Sequence, residues 1–337
     1  MQNTILNLRE SMRQARGAQE QPLYDEREIQ SVTALLLDEV CGISRIDRVL
    51  HPDIELTAAQ RETMLRIAVL LGQGIPVQQA LGYEWFCGER FVVTPDVLVP
   101  RPETAELVNW IVGQATEGAV LPSVRILDVG TGSGCIAVTL ARLINNSQVV
   151  ALDLSTAALG IAHRNACQQG VDNVQFVQGD ILKIVDNSSV ECVVPEFPTA
   201  FPPTMQQNCP PSLSTAYPPM NNGNPPLFNI HKQWFDVIVS NPPYICRREA
   251  AEMSDIVLDH EPDMALFVPD EDPLLFYRAI ARYACAHLCP GGWLYFEINA
   301  AYGSETCDLL RDLGFMDVEL RQDVNGCDRM VRARWES

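Results

Sequence analysis

Ile126-Leu127-Asp128-Val129-Gly130-Thr131-Gly132-Ser133-Gly134 is the stretch on which the reading of this chain turns. A short apolar run, Val124 to Val129, enters a glycine-rich turn, and helix-like spacing from Ile136 to Leu143 follows it. Glycine lets the backbone turn tightly and approach a ligand closely, and the start of a helix offers unpaired N–H groups there. A nucleotide-like ligand is implied. The spacing GxGxG differs from the dinucleotide fingerprint GxGxxG, and no Gly-Lys-Ser/Thr follows as a P-loop requires, so pyrophosphate and triphosphate ligands lose ground.

Outward from that turn, short apolar runs alternate with helical patterns. Gln148 to Leu152, Val174 to Val177 and Phe235 to Val239 read as further strands, and Ala157 to Ala166 reads as a helix capped by Ser155. A helix near Leu274 to Leu288, the run Trp293 to Ile298 and the end segment Asp317 to Trp335 complete an α/β fold. Its sheet is expected to be doubly wound, Rossmann-like and mostly parallel, with an antiparallel edge.

Upstream, residues 1–75 carry helical spacing, as in Val32, Leu35, Leu36, Leu37 and Val40, and again in Met64, Ile67, Ala68 and Leu71, with Gly72 as a stop. They predict a small helical domain. Residues 76–100 turn β-rich, with runs at Tyr83 to Phe86, Arg90 to Val93 and Val97-Leu98-Val99, and predict a hairpin linker before the main domain at 101–337. That domain opens with Pro102 in a first-turn position and Leu107, Val108, Ile111 and Val112 at helical spacing. An insertion at about 186–231 breaks the alternation: ten of the chain's 23 prolines fall between Pro195 and Pro226. Such a segment forms neither helix nor central strand and reads as a disordered, solvated linker, with a proline-rich docking segment as the alternative.

Composition narrows the partners. A net charge of −19 opposes any ligand whose affinity rests on neutralised phosphates, so no direct nucleic-acid substrate is expected. The eleven cysteines are scattered without a CxxC pair, and free thiols with no metal site are the expectation. No apolar run reaches membrane-spanning length and the N-terminus lacks a signal-like block, so a cytoplasmic protein with no membrane partner is expected.

The acidic residues after the strands refine the ligand. Asp153 closes the run after the glycine loop, 19 residues past Gly134, where an acceptor for ribose hydroxyls is expected. Asp128 suits the cationic amino-acid end of S-adenosyl-L-methionine, and Asp180 closes a third strand where an acceptor for an adenine amino group belongs. The alternative, that these aspartates merely cap helices, weakens when three follow three successive strands. The fourth strand runs into Asn241-Pro242-Pro243-Tyr244. A planar NH2 is a poor nucleophile because its lone pair is delocalised, and two acceptors can hold its hydrogens away from an incoming methyl. The side-chain oxygen of Asn241 and the carbonyl of Pro242 are expected to do this, with the prolines removing competing N–H donors and Tyr244 covering the flat face of the substrate.

At these residues the chain resembles the class I methyltransferases, and within them the release factor glutamine methyltransferases. The run Leu98-Val99-Pro100-Arg101-Pro102-Glu103-Thr104, the glycine loop, the Asn-Pro-Pro-Tyr tetrapeptide and the near-terminal Asp328-Arg329 carry the likeness. The resemblance implies S-adenosyl-L-methionine as cofactor, peptide chain release factors as partners, and N5-methylation of the glutamine in their Gly-Gly-Gln motif. The implied cofactor set is Asp128, Gly130, Thr131, Gly132, Ser133, Gly134, Asp153, Asp180, Ile181 and Asn241. Asn241, Pro242, Pro243 and Tyr244 would meet the substrate, with Asn241, Pro242 and Tyr244 catalytic. Many members carry Trp where this chain has Ile181. The same tetrapeptide serves adenine N6 and guanine N2 methyltransferases, and these, or a cofactor-binding scaffold without catalysis, are the alternatives.

Overall fold

The computed structural model describes residues 1–17, 21–51, 53–116, 123–187, 190, 192–195, 197 and 227–336. They fall into two compact units, Met1–Tyr83 with Ala251–Glu261, and Glu84–Ala250 with Pro262–Ser337. The first is helical, with α1 (Gln2–Gln14), α2 (Glu26–Glu39), α3 (Arg45–Leu50), α4 (Ala58–Gly72) and α5 (Val77–Leu81). Side chains close the starts of three of these helices. Asp25 with Glu28, Ser44 with Asp47 and Thr57 with Gln60 each form a reciprocal capping box that satisfies otherwise unpaired first-turn donors. The apolar stripes of α1, α2 and α4 meet over Leu8, Met12, Ile29, Leu36, Met64, Ile67 and Leu71. A further short helix, α10 (Asp255–His260), belongs to this unit, where Gln79 Nε2 donates to the His260 carbonyl at 2.8 Å.

The second unit, from Glu84 onward, opens within the paired strands β1 (Tyr83–Phe86) and β2 (Glu89–Val92). The strand-like run at Val97-Leu98-Val99 is irregular instead. Pro95 and Pro100 bracket it, and the Val97 N–H closes a turn on the Thr94 carbonyl at 3.2 Å. Then come α6 (Pro102–Thr116), β3 (Val124–Val129), α7 (Cys135–Leu143), β4 (Ser147–Asp153), α8 (Thr156–Gln168), β5 (Val174–Gln178), α9 (Ile181–Asp186), β6 (Cys192–Val193), β7 (Leu227–Phe228), β8 (Phe235–Ser240), α12 (Leu275–His287), β11 (Leu288–Glu297), α13 (Gly303–Asp312), β12 (Met316–Gln322) and β13 (Asp328–Arg334). Between β8 and α12 lie β9 (Ile245–Cys246), α11 (Asp263–Leu266) and β10 (Phe267–Val268).

Nine strands form one sheet in the order β12-β13-β11-β8-β3-β4-β5-β6-β7. Its centre, β11 through β5, is parallel, and both edges turn antiparallel, so the expected doubly wound, mostly parallel sheet is present. Alternate side chains of the central strands feed two cores. Ile126, Val237, Val239 and Tyr295 pack with α6, α7 and α8, while Leu127, Val129, Ile238, Leu294 and Phe296 pack with α9, α12 and α13. Strands covered on both faces are apolar in nearly every position, which is why they read as continuous hydrophobic runs. The proline-rich stretch from Phe201 to Pro226 lies outside the described residues, as do its neighbours 198–200. On either side of it, β6 pairs with β5 and β7 with β6, so the chain leaves and returns along the sheet edge.

Three glycines of the loop after β3 have positive φ, at 74° for Gly130, 53° for Gly132 and 78° for Gly134. Gly134 is also a packing residue, since a Cβ there would lie 2.8 Å from Ala162 Cβ and 3.1 Å from Ala162 Cα on α8. Gly134→Ala is therefore expected to lower unfolding stability by ~1–3 kcal/mol through overpacking and backbone strain. Urea unfolding with an unshifted midpoint would remove the packing role.

Candidate functional site

A cavity of about 280 Å³ opens at the carboxyl ends of β3, β4, β5 and β8. The chain runs β3, β4, β5 outward in one direction and then returns to lay β8 on the other side of β3, so the cavity sits where the strand order reverses. Gly130 and Gly132 form part of its wall, and a Cβ on either would meet no atom within 4 Å. Glycine is needed there for the backbone angle, and its missing side chain keeps the wall open.

Asp153 lines the cavity at the end of β4. One carboxylate oxygen accepts from the Gly132 N–H and the other from the Ser155 N–H, each at 2.8 Å, so the side chain ties the glycine loop to the start of α8. Burial pushes this carboxyl up, and the amides of Ser155, Gly132 and Leu154 pull it back. Each oxygen keeps a lone pair for a ligand hydroxyl. Asp180 lines the same cavity at the start of α9, where it caps the helix by accepting from the Leu182 N–H at 3.0 Å. Ile181 is buried and contributes apolar wall, with Leu152, Phe276 and Ile280. Asp96 brings a third carboxylate, and among the described residues no Lys, Arg or His lines the cavity. A cationic ligand suits such a wall and a phosphate does not.

Five of the residues expected at the site stand behind it. Asp128 is fully buried and does not line the cavity. Its Oδ2 accepts from the Thr131 hydroxyl at 2.6 Å and the Ala137 N–H at 3.2 Å, which holds the glycine loop against the start of α7. Its Oδ1 has no hydrogen-bond partner among the described residues. Thr131 and Ser133 are likewise buried, and Gly134 faces α8. Tyr244 also lies off the cavity lining. Its hydroxyl donates to Glu297 Oε1 at 3.2 Å, and its carbonyl accepts from Asn299 Nδ2 at 3.1 Å.

Asn241, Pro242 and Pro243 line the cavity directly beyond β8. β8 pairs with β3 through Ser240 opposite Val129, and Ser240 Oγ donates to the Val129 carbonyl at 2.6 Å. The last residue of β8 is thereby sealed against the last residue of β3, one residue before Gly130. Asn241 Nδ2 donates to Thr104 Oγ1 at 3.2 Å, and Thr104 Oγ1 donates to Glu297 Oε2 at 2.6 Å. Glu297 is 1% exposed. Burial pushes its carboxyl up, opposed by the hydroxyls of Thr104 and Tyr244 and by the charge of Arg329. Neither Thr104 nor Glu297 was singled out as a site residue from the sequence. The signal available was a carboxylate at the end of the apolar run Trp293 to Ile298, a position where a buried strand has no other reason to hold one.

Residues 23–82 match the family model described as the PrmC N-terminal domain, and residues 121–194 match that of a methyltransferase domain. The chain is 36% identical over 313 residues to the release factor glutamine methyltransferase of Flavobacterium psychrophilum, covering 93% of this chain and 94% of that one. It is 36% identical over 314 residues to the protein of that name from Bacteroides thetaiotaomicron, covering 93% and 95%. The Chlorobaculum tepidum protein of that name is 35% identical over 301 residues, covering 88% and 86%.

The burial of Asp128 has a pH signature. Desolvation pushes its carboxyl up to about 7, although Thr131 and the Ala137 amide favour the charged form. A group raised on folding stabilises the fold at low pH, and that contribution is lost as pH rises through the folded value. Relative to Asp128→Asn, the wild type should therefore lose stability between about pH 4 and about pH 7. A stability difference that stays flat across chemical-denaturation curves in that window would contradict the assignment.

Proposed function

The chain belongs to the release factor glutamine methyltransferases, and from that premise we propose that it methylates the side-chain amide nitrogen of the glutamine in the Gly-Gly-Gln motif of peptide chain release factors. It is an S-adenosylmethionine-dependent methyltransferase by family. The observation that carries the finer reading is the position of Asn241 and Pro242 on the wall of the same cavity that the glycine loop, Asp153 and Asp180 line.

The residues present fit the cofactor. Gly130 and Gly132 leave the wall open, Asp153 keeps acceptor capacity for the ribose hydroxyls, and Asp180 stands at the apolar pocket of Leu152, Ile181, Phe276 and Ile280 that suits adenine. Phe276 offers an aromatic face in a pocket where position 181 is aliphatic. Asp128 acts one step back, by holding the loop. When bound, S-adenosylmethionine supplies an electrophilic methyl group on a cationic sulphur.

Asn241 and Pro242 handle the amide. Asn241 Oδ1 accepts one hydrogen of the substrate NH2 and the Pro242 carbonyl accepts the other, which turns the nitrogen lone pair toward the methyl group. Pro242 and Pro243 have no N–H to compete for these acceptors. No general base is needed before attack, because positive charge arrives on nitrogen with the methyl and a proton then leaves to water. Tyr244 serves this arrangement from behind, through its bond to Glu297. The cavity wall, with carboxylates and no cationic side chain among the described residues, disfavours a nucleic-acid substrate, as does the net charge of −19.

Labelled methyl transfer to a purified release factor tests the reading, beside a Gly-Gly-Gln to Gly-Gly-Asn mutant and duplex DNA. Label on the wild-type factor alone is expected; label on DNA would reverse the substrate assignment. Asn241→Ala should lower turnover on the order of 10²-fold or more while cofactor affinity changes less, because the lost contact aligns the nucleophile. Asp153→Ala should do the opposite, weakening cofactor binding first, and an unchanged affinity by calorimetry would refute its ribose role.

A further inference from the structure

We propose that Thr104 and Glu297 are positioning residues that fix which end of the Asn241 amide faces the substrate. The inference rests on the glutamine reading above and names the parts that make Asn241 an acceptor.

Donor and acceptor counting sets the direction of the chain of bonds. Glu297 accepts on both oxygens, from the Tyr244 hydroxyl at Oε1 and from the Thr104 hydroxyl at Oε2. A threonine hydroxyl has a single hydrogen. At 2.6 Å that hydrogen is committed to Glu297, and Thr104 can only accept from its other side. What meets it at 3.2 Å is Asn241 Nδ2, a donor. With the NH2 end held by Thr104, Oδ1 is the end left for the cavity. Flipping the amide would set Oδ1 against a hydroxyl oxygen that has no hydrogen to give, and would offer the substrate NH2 a second NH2. Both contacts would then be unmatched, the inner one beside the buried Thr104 and Glu297, where unmatched polar groups are costly.

The fold places the three parts from separate elements. Thr104 is 2% exposed in the first turn of α6, Glu297 ends β11, and Asn241 follows β8. β8 and β11 are parallel neighbours with Ser240 opposite Phe296, so Asn241 and Glu297 each follow a paired residue. A carboxylate buried to this degree is held by two hydroxyls and makes no salt bridge among the described residues; Arg329, which donates to Asp323 instead, favours its charge from longer range and Glu103 opposes it. Orientation of Asn241 explains it.

Thr104→Val keeps the shape and removes the hydroxyl, Thr104→Ser keeps the hydroxyl, and Glu297→Gln replaces one acceptor end with a donor. Each is compared with wild type for kcat and KM on a release factor, for S-adenosylmethionine affinity by calorimetry, for release-factor affinity in the presence of S-adenosylhomocysteine, and for Tm. Thr104→Val should lower kcat by on the order of 10-fold to 10²-fold and weaken release-factor binding, with cofactor affinity and KM for the cofactor nearly unchanged. Thr104→Ser should recover most of the loss, and Glu297→Gln should fall between. A Thr104→Val enzyme as fast as wild type, a Thr104→Ser enzyme as slow as Thr104→Val, or losses that track cofactor affinity would overturn the proposal. If Thr104→Val does not fold, Glu297→Gln with wild-type kcat overturns it alone. A wild-type enzyme that binds cofactor but leaves the release factor unlabelled overturns the glutamine reading itself, an outcome visible before any variant is made.

Discussion

The pairing of β8 with β3 is the contact on which the rest of the site depends. The two strands are separated by more than a hundred positions in the chain, yet Ser240 lies opposite Val129 and its hydroxyl binds the Val129 carbonyl. That register brings the glycine loop, which follows β3, beside Asn241, which follows β8. A slip of one residue would turn Val237, Ile238 and Val239 to the wrong cores and rotate Asn241 off the cavity wall. Because both faces of these strands are buried, the register is held by packing on either side rather than by the few local bonds at the site.

Much of this was legible in the sequence because the central strands are short, apolar and bounded by marked turns. Val124 to Val129 and Phe235 to Val239 announce themselves as buried parallel strands, and glycine at positions 130, 132 and 134 announces a turn that needs positive φ. What sequence could not assign was which polar residues face the cavity and which stand behind it. Asp128 and Asp153 both adjoin apolar runs, and only the register and the loop's path turn Asp153 to the cavity and Asp128 into the protein. Tyr244 is a related case: an aromatic next to Asn241 reads as a lid from the sequence, and in the structure its hydroxyl binds a buried carboxylate more than fifty positions away. The run Val97-Leu98-Val99 looked like a strand because periodicity is blind to the prolines that bracket it.

Three carboxylates organise the site, Asp128 and Glu297 buried and Asp153 half-buried at the cavity wall, and each is held in a different way. Asp153 takes two backbone N–H groups and stays at the cavity wall, Asp128 takes one hydroxyl and one N–H and braces the loop, and Glu297 takes two hydroxyls. Removing a carboxylate from water is expensive, and donors arranged around it offset only part of the cost. That the fold tolerates this twice beside one cavity, at Asp128 and Glu297, is the mark of a site shaped for something other than stability.

The identity of residue 241 follows from the same accounting. An aspartate there could accept hydrogens from the substrate amide, but its second oxygen would face Thr104, whose hydrogen is already given to Glu297, and two acceptors would meet. A serine or threonine would supply one acceptor but could not reach both Thr104 and the cavity from the end of β8. A glutamine has the right ends on a longer side chain, and its additional rotatable bond would let those ends exchange. Asparagine alone offers a donor inward and an acceptor outward across a rigid planar group. The buried pair of hydroxyl and carboxylate behind it decides which is which.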